Sequence, residues 1–235
     1  MIRLLASVRN VDEALAAAAA GADFIDLKEP SAGALGGVPP ATIRQIVTAL
    51  RAAHPGLPIS ATIGDHAAHE LAAIAERVAA VGACGVDYVK VGVSGTDPSA
   101  QCGLLAQLAA EPWAVVPVFI ADHGLLFPAV DAACQLPFPA LMADTEDKAA
   151  GCLFDCVADA ALVRFVGLAR RAGKLVGLSG ALRAHHLPRL AALEPDFAGF
   201  RGALCAGSRR GVLVPENLRR LKQALVETGA ACCAD

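Results

Sequence analysis

Short runs of β-branched and other apolar residues alternate along the chain with longer stretches rich in alanine and leucine. The short runs are IRLLAS (2–7), DFIDLK (23–28), PISATIG (58–64), VDYVKVG (86–92), AVVPVF (114–119), PALMAD (139–144), KLVGLSG (174–180) and DFAGFRG (196–202), and each predicts a strand. The longer stretches predict helices over 11–21, 40–54, 66–82, 98–110, 157–172 and 215–228. Turns of the GADFI and GVDYV type lead helices into two of the strands, as a helix C-cap before a buried strand does. Strict alternation of strand and helix calls for a parallel sheet with helices outside it. Eight such units in 235 residues suit a single-domain (β/α)8 TIM barrel with short loops, ending in a frayed tail at VETGAACCAD. An open doubly wound sheet would carry a glycine-rich dinucleotide turn after its first strand, and ASVRNVDEA has none.

Composition narrows the classes. Apolar residues make up 55% of the chain and charged residues only 18%, which describes a large packed core and excludes a disordered chain. The net charge of −3 comes without any basic cluster, so nucleic acid is not an expected partner. The alanine-rich EALAAAAAGA is too weakly apolar to span a bilayer, so no membrane association is expected. MIRLLASVRN does not have the build of a secretion signal, and the eight cysteines then read as reduced thiols of a cytoplasmic protein.

The chemistry of a barrel collects at the C-terminal ends of its strands. Those ends carry Asp26 and Lys28 on the second strand, Asp65 after the third and Lys90 on the fourth. Asp122 and His123 follow the fifth, Asp144 ends the sixth, and Lys148 lies in the loop beyond it. The two-residue period of a strand puts Asp26 and Lys28 on one face. Taken alone, each lysine reads first as half of a structural ion pair or as a stem snorkelling to the barrel mouth. Three lysines with carboxylates beside them change that balance. Crowded ammoniums disfavour one another's charge, and a desolvated neutral lysine is a nucleophile toward carbonyl carbon.

The last two strand ends, LSGAL (178–182) and FRGALC (200–205), each place a glycine after a buried strand. Small residues there let backbone N–H groups approach an anion, and barrels often hold phosphate after strands 7 and 8. Ser179, Gly180, Arg201, Gly202 and Ala203 are therefore the candidate phosphate contacts, with Arg201 alternatively a group of the barrel's polar interior. Arg209 and Arg210, in a loop expected to be solvated, are within reach of a rim phosphate. HAAH (66–69) would put two histidines on one helix face without further ligands, so no metal is expected. Cys152 and Cys156 in CLFDC read as a buried helix face.

The segments DFIDLKEPSAGALGG, SATIGD, GVDYVKVGVSG, ALMADTEDKAAGCLFD, LVGLSGAL and GFRGALC together resemble the (5-formylfuran-3-yl)methyl phosphate synthase family, from about Leu4 to about Arg220. The resemblance implies a (β/α)8 lyase that condenses two glyceraldehyde 3-phosphate molecules to 4-(hydroxymethyl)-2-furancarboxaldehyde phosphate. Phosphate and water are lost, and the product is a building block of a methanofuran-type one-carbon carrier. It implies further that Lys28 in IDLKEP is the Schiff-base lysine and Lys90 in DYVKVG the proton acceptor. Asp26, Asp144 and Lys148 match the remaining acid–base groups. AGSRRGVL departs from the family pattern in its charge. No cofactor is implied, because an iminium is itself the electron sink. The alternatives are another class I aldolase-like triose-phosphate enzyme or a non-catalytic phosphate-sensing barrel. Exposed alanine-rich helices leave room for self-association, so a homo-oligomer is expected.

Overall fold

The structure, a computed structural model, describes residues 1–33, 35–147 and 151–232, with side chains up to residue 228. Eight parallel strands close into a barrel in sequence order: β1 (Arg3–Val8), β2 (Phe24–Leu27), β3 (Ile59–Thr62), β4 (Tyr88–Val93), β5 (Val115–Ile120), β6 (Ala140–Asp144), β7 (Leu175–Leu178) and β8 (Phe197–Phe200). The barrel expected from the alternation is the one formed. Helices between the strands cover its outside: α1 (Val11–Ala19), α2 (Pro40–Ala53), α3 (Leu71–Gly82), α4 (Pro98–Leu108), α5 (Phe127–Gln135), the single turn α6 (Leu153–Cys156), α7 (Asp159–Arg171), α8 (Leu187–Leu193) and α9 (Pro215–Cys232). No helix among the described residues is long and apolar enough to cross a membrane.

Strand periodicity sorts the side chains into two cores. The outward set, such as Leu4, Ala6, Val8, Ile25, Leu27, Val89 and Val91, packs under the helices. The inward set is apolar at the N-terminal end of the barrel, where Leu5, Val116, Ala140 and Phe197 pack with Phe24, Tyr88 and Leu175. Higher up, several of these strands carry polar inward residues, while Val118 and Met142 continue the apolar packing on β5 and β6. Ser7, Asp26, Ser60, Lys90 and Asp144 are all buried there. The apolar floor carries no chemistry, and the polar layers above it face the C-terminal mouth.

Several local expectations change. HAAH is not helical: α3 begins at Leu71, and residues 66–70 form a turn in which Ala67 N–H donates to Glu70 Oε2 at 2.7 Å. The two histidines therefore share no helix face. Helices α5 and α8 each place a proline, Pro128 and Pro188, in the first turn. Proline is tolerated there because that N–H has no intrahelical partner, although in sequence it reads as a breaker. Helix α9 runs to Cys232, through most of the stretch expected to fray. One interior glycine costs a helix only about 1 kcal/mol relative to alanine.

Candidate active site

β2 ends at Leu27, but the backbone stays in register one residue longer, since Lys28 N–H donates to Val8 O at 2.9 Å. That register aims the Lys28 side chain inward at the mouth of the barrel. Its ammonium donates to Asp144 Oδ2 at 3.3 Å, across the barrel on the last residue of β6. Asp144 Oδ1 is held by the Thr145 N–H at 2.8 Å. Only 7% of Lys28 and 2% of Asp144 is exposed.

A second pair lies one layer deeper. Lys90 Nζ donates to Asp26 Oδ1 at 3.0 Å, and Asp26 also accepts from Ser60 Oγ at 2.7 Å and from Ser7 Oγ at 3.1 Å. Lys90 is not at a strand end as the sequence suggested. It is the third residue of β4, which continues through Val93. Gly92, two residues on and therefore on the same inward face, has no side chain to cover it. The cover comes from Leu35 instead, 1% exposed, whose Cδ1 lies 2.9 Å from where a Cβ on Gly92 would stand. The loop from β2 to α2 carries Leu35 into the barrel, fixed by Leu35 N–H to Asp65 Oδ1 at 2.8 Å and by Thr62 Oγ1 to Gly36 O at 3.1 Å.

Above the upper pair opens a cavity of about 260 Å³, lined by Lys28, Asp144, Ser179, Arg183, Gly202 and Arg209 among others. Lys90 and Asp26 are not in its lining. Of the five residues expected to hold phosphate, Ser179, Arg201 and Gly202 line this cavity. Gly180 shapes the turn instead: its φ is +116°, and its carbonyl accepts from Leu153 N–H at 3.0 Å. Ala203 packs against the outer core.

Arg201 lines the cavity wall, yet its guanidinium is fully committed. It donates to Glu13 Oε2 at 2.5 Å and Oε1 at 3.1 Å, to Ser7 O at 3.1 Å, to Arg209 O at 2.9 Å and to Gly211 O at 2.9 Å. A guanidinium has five N–H donors, and all are spent. Arg201 is thus a brace of the barrel's interior, the second of the two roles its position allowed, and offers no donor to a phosphate. Its partner Glu13 was missed in the sequence, although a signal existed. Asn10 and Glu13 have capping-box spacing, and Asn10 Oδ1 does accept from Glu13 N–H at 2.9 Å. The Glu13 carboxylate is thereby aimed back toward β8.

Lys148, expected as a third lysine of the rim, lies outside the described residues. Asp122 holds the loop after β6, accepting from Glu146 N–H at 2.5 Å and Asp147 N–H at 2.8 Å. Cys152 is buried and Cys156 partly so. Burial, reinforced by Asp155, pushes the Cys152 thiol above the ordinary range, so it is not poised as a nucleophile. Among the described residues no group of three or more His, Cys, Asp or Glu side chains could hold a metal ion.

A buried lysine–aspartate pair at the mouth of a barrel, with arginines around the same cavity, has the composition of a site for a phosphorylated carbonyl compound. Comparison with known proteins agrees in family. The family described as 4-HFC-P synthase matches residues 4–222. The chain belongs to the 4-HFC-P synthase family. It is 35% identical to the (5-formylfuran-3-yl)methyl phosphate synthase of Methanopyrus kandleri, over 95% of this chain and 98% of the relative. It is 34% identical to that of Methanocaldococcus jannaschii, over 94% and 98%. A Methylorubrum extorquens protein provisionally given the same name is 41% identical over 88% of this chain and 84% of its own. Solved structures establish the fold alone. Phosphoribosyl anthranilate isomerase from Thermus thermophilus superposes with a TM-score of 0.63 at 17% identity, over 96% of this chain and 99% of that one. The 3-hexulose-6-phosphate synthase of Salmonella typhimurium does so with 0.63 at 15%, over 97% and 100%.

Proposed function

We propose that this synthase joins two molecules of glyceraldehyde 3-phosphate into 4-(hydroxymethyl)-2-furancarboxaldehyde phosphate, with Lys28 as the Schiff-base lysine, in the making of a methanofuran-type coenzyme. The observation that carries the reading is the Lys28–Asp144 pair, buried yet open to the cavity, in a chain of this family. Attack on an aldehyde needs the free amine, and Asp144, 3.3 Å away, is the group placed to take the ammonium proton. Loss of water from the resulting carbinolamine gives an iminium, whose positive nitrogen acidifies the adjacent C–H. Removal of that proton gives an enamine that expels the neighbouring phosphate by β-elimination, and the enol carbon so formed attacks the carbonyl of the second triose phosphate. Ring closure with loss of two waters makes the furan, and hydrolysis of the remaining iminium returns Lys28 and releases the product aldehyde. The iminium supplies the electron sink for each elimination, so the lyase chemistry calls on no oxidant.

Lys90 and Asp26 take the proton-transfer role in this scheme through Ser7, which lines the cavity and donates to Asp26, since neither of the two faces the cavity itself. The experiment is intact-protein mass after incubation with glyceraldehyde 3-phosphate and borohydride, followed by peptide mapping. A triose-phosphate-sized adduct on Lys28, with a near-ultraviolet-absorbing product in the unreduced reaction, is the expected result. An adduct without a furan product points to a simple aldolase. No adduct and no furan product removes the synthase reading of the site.

A further inference from the structure

We infer that Arg183 and Arg209 form an anion clamp at the barrel mouth, gripping the phosphate of the aldehyde whose carbonyl meets Lys28. The inference rests on the cavity being the triose-phosphate site. It assigns the phosphate to two side chains that the strand-end pattern does not single out together.

Four cationic residues among the described ones line the cavity: Lys28, Arg183, Arg201 and Arg209. Two of them are already satisfied, Lys28 by Asp144 and Arg201 by Glu13 with three carbonyls. Arg183 is different. Among the described residues its guanidinium has no hydrogen-bond or ion-pair partner, although its backbone is fixed. Gly180 and Ala181 both take positive φ, +116° and +50°, which turns the chain back over the mouth. Arg183 N–H then donates to His186 Nδ1 at 3.0 Å. The guanidinium lies over Gly202, where a Cβ would stand 3.1 Å from both terminal nitrogens. Glycine at 202 is thus what lets Arg183 settle across the end of β8.

Arg209 lines the same cavity from the loop after β8. Its backbone carbonyl is held by Arg201 Nε, so the Arg201–Glu13 brace sets where this loop stands. Its guanidinium is half-buried and reaches across to Gly33 O at 3.1 Å, a neutral acceptor on the loop that carries Leu35. Burial pushes Arg209 below the ordinary arginine range, against the opposing pull of the Asp144 and Asp65 carboxylates. A phosphate dianion offers both guanidiniums charge-assisted, bidentate bonds, stronger than a single bond to a carbonyl. Ser179 and Gly202 line the same cavity.

Calorimetric titration of the full chain with inorganic phosphate and with glyceraldehyde 3-phosphate tests the clamp. Arg183→Gln and Arg209→Gln are each expected to raise Kd about ten- to a hundredfold, the range for losing a charged hydrogen-bonding group. Arg183→Lys, which keeps the charge but not the fork, should fall between. Arg220→Gln, an exposed cation on α9, controls for net charge and should leave Kd within about twofold. Borohydride trapping of glyceraldehyde, which has no phosphate, should be unchanged by Arg220→Gln and should fall less in Arg183→Gln than trapping of glyceraldehyde 3-phosphate does. Phosphate affinity equal to the parent's in both glutamine variants overturns the clamp, as does a parent with no measurable affinity. If the arginine variants lose phosphate while even the parent traps neither aldehyde, the clamp stands and the Schiff-base reading falls.

Discussion

The two buried lysine–aspartate pairs use the same residue types one layer apart, and what lies above each sets them apart. Lys28–Asp144 opens on a cavity of about 260 Å³. Lys90–Asp26 lies beneath Leu35, above an apolar floor, with two serine hydroxyls completing the carboxylate's bonds. A charge removed from water needs nearly all of its hydrogen bonds supplied by the protein. The lower carboxylate has that supply, and the upper pair instead has access. The same residue types thus face an open cavity in one layer and lie outside its lining in the next, where Leu35 packs over Gly92.

That contrast can be broken from the top downward. Lys28→Arg should abolish turnover and borohydride trapping while leaving the thermal melt close to the parent's, because a guanidinium keeps the charge toward Asp144 but forms no imine. Full activity in this variant would take Lys28 out of the mechanism. Asp26→Asn should be the most destabilising change in the site, by about 3–5 kcal/mol in urea melts, since it leaves the Lys90 ammonium buried without its counter-ion. Asp144→Asn should cost clearly less, because the cavity admits water to Lys28. Equal losses would mean that the two layers are solvated alike.

Leu35→Ala should cost about 2 kcal/mol or somewhat more and uncover the lower pair. Acetylation with an anhydride and peptide mapping would then show Lys90 modified much faster than in the parent. An unchanged Lys90 rate would mean that something other than Leu35 covers it. The smallest effect is expected from Gly92→Ala, about 1 kcal/mol, as the new methyl presses on Leu35 Cδ1 and the plug yields slightly. A fully neutral Gly92→Ala would show the plug to be loosely seated.

Much of this site follows from local pattern. The inward position of Asp26, Lys28, Lys90 and Asp144 follows from the two-residue period of their strands, and the barrel follows from the alternation around them. The pairing does not. Asp26 and Lys28 share a face and invite a pair with each other, yet each reaches a partner from another strand, Lys90 and Asp144. Strand tilt and stagger around a closed barrel decide which inward side chains meet, and no spacing within one strand encodes that.

Arg201 shows the same limit from the other direction. Its place after β8 was legible as a candidate for phosphate or for the interior, and the choice fell to Glu13, 188 residues away in sequence. Leu35 was hidden for a related reason. Within KEPSAGALGG it looks like one apolar residue in a glycine-rich loop, and only closure of that loop on Asp65 and Thr62 carries it over Gly92.

What the sequence determined by itself was periodicity and chemistry: eight inward faces, a polar upper layer, and lysines with carboxylates at the mouth. Which charge meets which, which layer stays open, and which arginines keep their donors free were decided only by tertiary structure. The physical reason is that propensity and face assignment depend on near neighbours along the chain, whereas pairing and access depend on distances set by barrel closure and by loops folding back over it.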